Sequence, residues 1–290
     1  MFPAAFEYQR AATLPEALRM LAASGGEAKV LAGGHSILPM MKLRLATPQN
    51  LVDIGRVPEL KGIRLEGNRL VVGALTTHRE LETSEMVARH CPVLARAASE
   101  VGDVQVRNRG TLGGNLAHAD PASDLPAVAQ AMEAVLKLAS PRGIREVAIG
   151  DFILGPLVTD LQGDEIIQEI SFATVSGRSG SAYAKFAHPA SGYAVVAVAA
   201  VVTLGADGSC QAARVGVTGA SSTAYRATGV EQALVGRRPD APVLEQAAAH
   251  AAEGADLMAD LFASEAYRGH LCRVMTHRAL KEAVGEAMGR

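Results

Sequence analysis

Two glycine loops that lie far apart in the chain constrain it more than any other feature. The first, AKVLAGGHS at 28–36, runs from a short apolar strand through Ala32 into Gly33-Gly34, then to His35 and Ser36 with their polar hydrogens. The second lies within RGTLGGNLAHADPASDLP at 109–126. Gly110, Gly113 and Gly114 admit positive φ and carry no Cβ, so backbone N–H groups are expected to turn inward onto a phosphate. Thr111 and Asn115, either side of Leu112 and the glycine pair, add side-chain donors. Pro121, Ser123 and Asp124 precede an apolar-periodic run, which places the loop's exit at a helix N-terminus, where partial positive charge also favours anions. Two loops of the form strand, Gly-Gly, polar predict one diphosphate held from two sides. Neither G-x-G-x-x-G nor G-x-x-x-x-G-K-[ST] occurs, which disfavours the usual dinucleotide fold and the P-loop.

Composition narrows the classes around that reading. The chain has 290 residues, 49% of them hydrophobic, and a formal net charge of −2. That is enough for two or three packed units, and its scattered Lys and Arg form no basic patch, so nucleic acid is not an expected partner. The opening MFPAAFEYQR lacks the pattern of a secretory signal, and the most apolar run, Tyr193 to Leu204, is too short to span a bilayer. No transmembrane segment and a cytoplasmic location are therefore expected. Cys91, Cys210 and Cys272 are widely spaced and form no C-x-x-C, so the chain cannot hold an iron–sulfur cluster of its own. The histidines show no metal-ligand spacing, and no site for molybdenum cofactor is visible.

Taken in order, Thr13 to Ala23 reads as an amphipathic helix with Thr13 and Glu16 in capping-box register and Leu14, Leu18 and Leu21 on one stripe. With strands at 28–32 and 50–54 it makes a small α/β lobe over 1–55. A second lobe over 56–175 takes strands at 69–75, 134–139, 145–149 and 165–172. Its helices begin at 77, capped by Thr76 or Thr77, and at 92. The Gly- and Ser-rich segment 175–181 reads as a linker. Over 176–290, three successive strands followed by Ala-rich helices from Tyr225 onward predict an α+β domain with a three-stranded antiparallel sheet covered on one face.

AGGHS followed by MKLRL at 41–45, and TLGGN followed by DPASDLP at 120–126, resemble the paired FAD motifs of the flavoprotein (medium) subunit of molybdenum hydroxylases, the carbon monoxide dehydrogenase and xanthine dehydrogenase group. The likeness runs the length of the chain, and SEAYRGHLCRVMTHRAL at 264–280 resembles the closing helix of that subunit. The resemblance implies an α+β fold, with a two-lobed FAD-binding domain of the vanillyl-alcohol-oxidase-like type followed by an α+β C-terminal domain. It implies FAD held by Ala32, Gly33, Gly34, His35, Ser36, Thr111, Leu112, Gly113, Gly114 and Asn115; GGH at 33–35 also resembles the spot where some flavin oxidases bond FAD to histidine, but a non-covalent FAD is expected because His35 lies between Gly34 and Ser36, whose N–H and hydroxyl groups face the diphosphate.

It further places Asp124 on the flavin's ribityl chain or ring edge, Lys185 near the FAD, and Ile167 along the ring. Read from the residues alone, Asp124 is an N-cap carboxylate and Lys185 equally a surface-strand lysine. Tyr193, at the mouth of the apolar strand, either covers the isoalloxazine or plugs a domain interface. No residue of the chain is expected to be catalytic or to bind metal. Molybdenum cofactor and [2Fe-2S] clusters are implied on partners only, a large molybdenum subunit and a small iron–sulfur subunit, in a dimer of heterotrimers that passes electrons through FAD to an external acceptor. The alternatives are a self-contained flavin oxidase or reductase of the same fold, and a flavin-binding or assembly protein without turnover. Aromatic residues are only 4% of the chain, with no Trp, and an oxidase pocket usually needs more, which favours the subunit.

Overall fold

In the computed structural model, which describes residues 2–289, three sheets follow one another along the chain. The first is parallel, with strands β1 (Glu7–Arg10), β2 (Ala28–Leu31) and β3 (Asn50–Asp53) in the order β1-β3-β2. Helix α1 (Leu14–Ala23) joins β1 to β2 and buries Leu14, Ala17, Leu18 and Leu21 in the core that also takes Val52 and Ile54. Thr13 caps it by accepting from Glu16 N, and the Glu16 carboxylate accepts from Ala12 N at 2.7 Å, one residue before the N–H a capping box would use. Because β2 is an edge strand, the AGGHS segment leaves the sheet at its border and enters the short helix α2 (Ile37–Lys42). Strand β1 has no counterpart in the sequence reading: its four residues are polar and exposed, so no apolar alternation marks it.

The second sheet is antiparallel and five-stranded, with order β4-β5-β10-β6-β7. Its strands are β4 (Ile63–Glu66), β5 (Arg69–Gly73), β6 (Val135–Ser140), β7 (Gly143–Ala148) and β10 (Ile166–Ala173). Short helices share its core: α3 (His78–Thr83), α4 (Glu85–His90), α5 (Pro92–Ser99), α6 (Val104–Arg107), α7 (Leu112–His118), α8 (Leu125–Ala131) and α9 (Ile149–Phe152). Of the two threonines, Thr77 caps α3 through a full capping box with Glu80. A small hairpin, β8 (Ile153–Gly155) with β9 (Val158–Thr159), is tied down by Leu157 N donating to Ala119 O at 3.0 Å.

The third sheet takes β11 (Ser179–Ala187), β12 (Ala194–Leu204), β13 (Cys210–Thr218) and β14 (Tyr225–Arg226), in that order and antiparallel. Three long strands match the expectation. The two-residue β14 adds a fourth at the edge, too short to carry a periodic signal. Helices α10 (Thr228–Leu234), α11 (Ala241–Ala248) and α12 (Glu265–Ala287) follow, but the stretch between α11 and α12 is largely irregular, not helical. The linker is shorter than expected, since β11 already begins at Ser179.

The sheet is also covered on both faces, where one was expected. Along β12, Ala199 and Val201 face the core of the second lobe, whereas Val196, Val198, Ala200 and Val202 face the core built with α12. This is why β12 reads as an unbroken apolar run instead of an alternation. Two glycines let the covering helices lie close. A Cβ on Gly216 would sit 2.0 Å from Ala127 O of α8, and one on Gly180 would sit 2.0 Å from Ala283 O of α12. No helix among the described residues is long and apolar enough to cross a membrane.

Candidate functional site

The two glycine motifs meet in space. A Cβ on Gly33 would lie 2.0 Å from Arg109 O and 3.1 Å from Gly110 Cα, so only glycine lets the loops touch backbone to backbone. In the first loop the N–H groups of Gly33, Gly34, His35 and Ser36 donate to no acceptor among the described residues. Gly34 sits at φ +82°, which turns successive N–H groups toward one side. Such a run of orphaned donors in a turn has the make-up of an anion-binding nest. Ser36 heads α2 without a side-chain cap bond, and His35 is exposed, which leaves both side chains available to the same ligand.

The second motif works differently from the sequence expectation. None of Gly110, Gly113 and Gly114 has positive φ, and helix α7 begins inside the motif with Thr111 as its N-cap. The N–H groups there are spent within the protein: Leu112 N donates to Thr76 O, Gly113 N to Ala74 O and Asn115 N to Thr111 O, all at 2.9 Å, and Gly114 N to Thr111 Oγ1 at 3.2 Å. The glycines are there for close packing instead. A Cβ on Gly113 would sit 2.5 Å from Ala74 Cβ, and one on Gly110 2.8 Å from the His78 ring.

His78 is a residue the sequence reading passed over. It is 3% exposed, its backbone N–H donates to Gly110 O at 3.0 Å, and its ring Nδ1 has no partner among the described residues. Burial, helped by nearby His35 and Arg107, pushes its pKa down to about 4, so the ring is neutral at physiological pH. Its sequence signal is only a histidine one position past a helix cap.

Asp124 starts α8, yet its side chain caps nothing, which corrects the N-cap reading. The carboxylate is drawn instead toward the third sheet, where it accepts from Tyr183 OH at 2.6 Å and from Lys185 Nζ at 2.8 Å. Lys185 Nζ also donates to Glu100 O at 2.8 Å. The lysine side chain is 4% exposed and the aspartate 5%, so the surface-strand reading of Lys185 fails. Burial pushes the Asp124 carboxyl up to about 6 against the opposing pull of Lys185 and Tyr183, and burial beside Asp124 holds the Tyr183 phenol well above its ordinary value. The part played by Tyr183 was legible: two residues before Lys185 in a strand, it must share a face with it.

Ser123 Oγ donates to Asn115 Oδ1 at 2.8 Å and so ties this group to α7 and the glycine motifs. Tyr193 stands just before β12, 47% exposed, with its pKa raised by partial burial and by Asp120 and Asp124. Ile167 is elsewhere, inside the core of the second lobe beside a bulge in β10. The structure thus brings Gly33 against Arg109 and Gly110, and gathers Asp124, Lys185 and Tyr193 where the second lobe meets the third sheet. Two wider clefts lie apart from these residues. One of about 690 Å³ is lined by Glu133, Arg214, Arg226 and Glu231, whose charges pair with one another, and one of about 530 Å³ lies between Leu14, Leu18 and Ile144.

Known proteins give this geometry its context. Residues 4–173 match the family model described as the FAD binding domain in molybdopterin dehydrogenase, and residues 181–283 match that of the CO dehydrogenase flavoprotein C-terminal domain. The chain is 39% identical to the carbon monoxide dehydrogenase medium chain of Hydrogenophaga pseudoflava, with 98% of each covered. It is 36% identical to the 6-hydroxypseudooxynicotine dehydrogenase complex subunit alpha of Paenarthrobacter nicotinovorans, over 99% of this chain and 97% of that one. Among solved structures, a chain of carbon monoxide dehydrogenase from Hydrogenophaga pseudoflava superposes with a TM-score of 0.94 at 40% identity, 98% of each being covered. A chain of quinoline 2-oxidoreductase from Pseudomonas putida 86 gives 0.94 at 34% identity, over 99% of this chain and all of the other. With both halves matched in order and nearly end to end, the chain belongs to the family of FAD-binding medium subunits of the molybdenum hydroxylases.

Proposed function

We propose that this chain holds one FAD without a covalent bond and serves as the electron-transfer subunit of a heteromeric molybdenum hydroxylase. The observation that carries the reading is the run of unpaired N–H groups from Gly33 to Ser36, packed on the backbone of Arg109 and Gly110. It suits a diphosphate, with the Ser36 hydroxyl and the His35 ring as further donors. Thr111, Leu112, Gly113 and Gly114 set the position of α7 behind that loop, and Asn115 links it to the Pro121–Asp124 segment. At the junction with the third sheet, the Asp124–Lys185 pair fixes a carboxylate, and Tyr193 offers a half-exposed ring to shield a flavin face from water. Ile167 contributes from the core side only. When bound, FAD would supply the electron-transfer chemistry the side chains lack, and the protein would contribute orientation and tuning of its potential.

Molybdenum cofactor and [2Fe-2S] clusters belong, in this reading, to a large and a small partner subunit in a dimer of heterotrimers. Support comes from relatives named as medium chains and complex subunits, and from three cysteines buried in two separate cores. The free thiols suit a cytoplasmic setting. The functional units are 1–55 and 56–175 around the diphosphate, and 176–290 closing over the flavin end.

The test uses the full-length chain. Purified wild type should carry FAD one to one, and Gly33→Ala, whose Cβ would meet Arg109 O at 2.0 Å, should lose it while keeping its far-ultraviolet circular dichroism. Carbon monoxide, aldehydes and N-heterocycles should leave the flavin absorbance unchanged, and dithionite should bleach it. Bleaching by such a substrate with no partner present would replace this reading with a self-contained oxidase.

A further inference from the structure

The C-terminal segment SEAYRGHLCRVMTHRAL has no role in the function above, although it carries a buried charge. Arg268 of α12 is 5% exposed. Its Nη1 donates to Val195 O and to Gly219 O, both at 2.6 Å, and its Nη2 pairs with Asp260 Oδ2 at 2.5 Å. Pairing between β12 and β13 stops at Ala197 and Thr218, so the two carbonyls lie just past the end of the ladder. There they converge, and one nitrogen of the guanidinium answers both at once. The approach is close. Gly219 has φ +80°, and a Cβ on it would sit 2.7 Å from Ala194 O and from Val195 O.

The opposite side of these strand ends faces the candidate cofactor site. Gly219 N donates to Pro121 O at 2.9 Å and Ala194 N to Ala122 O at 3.2 Å. The Thr218 hydroxyl, fully buried, lies 2.8 Å from Ser123 O and 3.0 Å from Pro121 O. Carbonyls 121, 122 and 123, between α7 and α8, are therefore all held by the two strand ends that Arg268 pins together. Tyr193 directly precedes Ala194 on one of them.

We propose that Arg268 is a positioning residue for the cofactor site: from α12 it fixes the ends of β12 and β13, and through them the Pro121–Ser123 loop and Tyr193. The role rests on the reading that FAD occupies this site. It differs from a purely structural one, in which Arg268 would only fasten α12 to the sheet, because the guanidinium acts on the two backbone segments that reach the loop. Nη1 alone serves both carbonyls while Nη2 holds Asp260, and lysine, shorter and with a single nitrogen, does not reach the carbonyls and Asp260 together, so Arg268→Lys lets the strand ends part.

The experiment compares full-length variants loaded with FAD, reading melting temperature, FAD dissociation constant and visible circular dichroism of the flavin. Leu280→Ala is the control, a fully buried residue of the same helix roughly three turns further on, where the loss of packing cannot reach the loop directly. Arg268→Lys should weaken FAD binding by about tenfold or more and alter the flavin dichroism, as displaced positioning groups do. Leu280→Ala should lower the melting temperature with both flavin readouts at wild-type values. Thr218→Val, which keeps the shape and removes the hydroxyl, should repeat the Arg268→Lys effect and carries the test by itself if Arg268→Lys does not fold. Flavin readouts equal to those of Leu280→Ala would overturn the inference while leaving the FAD reading intact. A wild-type chain that takes up no FAD would overturn both.

Discussion

At Asp124 and Lys185 two ionised side chains share the interior, and each is tolerable only because the other is there. Taking two charges out of water costs several kcal/mol per ion, which their contact and the added bonds from Tyr183 OH and to Glu100 O offset. Asp124→Ala should therefore leave a buried, unpaired ammonium and lower the stability to denaturant by about 3–5 kcal/mol. Adding Lys185→Met to that variant should recover most of the loss, since an apolar side chain of similar length needs no partner. Equal denaturation midpoints for the single and double variants would mean that Lys185 finds water or another acceptor when Asp124 is gone. The alternation in SAYAKFA shows in the sequence that Tyr183 and Lys185 share a face, but nothing in it says that a carboxylate from α8 meets them there.

Among the elements, α7 shows best how glycine acts by its surroundings. Gly113 lies in the first turn of α7 against Ala74, where a Cβ would be 2.5 Å from the alanine's own Cβ. Gly285 lies in α12 with nothing within 4 Å of a Cβ. Gly113→Ala should push α7 off its neighbour and cost about 1–3 kcal/mol, the usual range for overpacking. Gly285→Ala should instead gain about 0.5–1 kcal/mol, because alanine loses less backbone entropy in a helix. Denaturant midpoints for the two variants should thus move in opposite directions. TLGGN looks in sequence like a loop of free N–H groups. It is a capped helix start because Thr111 accepts from Gly114 N while Thr76 O and Ala74 O take the N–H groups of Leu112 and Gly113, and residues 74 and 76 lie more than thirty residues upstream in the chain.

For the whole molecule, the groups proposed to meet the diphosphate and the flavin ring come from different parts of the fold. The nest is built by the first lobe against Arg109, and the Asp124, Lys185 and Tyr193 group arises only where α8 meets the third sheet. His35 belongs to the nest, next to the orphaned N–H groups of Gly34 and Ser36. On the proposed reading the His35 imidazole meets the diphosphate, away from the flavin ring carbon it would have to bond. Acid denaturation of the holoprotein should accordingly release all the yellow colour to the supernatant as intact FAD. Flavin retained on the peptide that contains His35 would instead mean that the ring, not the diphosphate, sits at the first loop.

By itself the sequence determined what is local: the capped start of α1, the apolar length of β12, the α+β order of elements and the first glycine loop. Caps, apolar runs and turns act over a few residues, so their causes are printed next to them. Tertiary structure alone decided that the first loop keeps its N–H groups free while the second spends them, that Asp124 leaves its helix for Lys185, and that Arg268 reaches the loop through two strand ends. Each of these depends on which acceptor comes within hydrogen-bond reach, and packing between distant segments sets that distance.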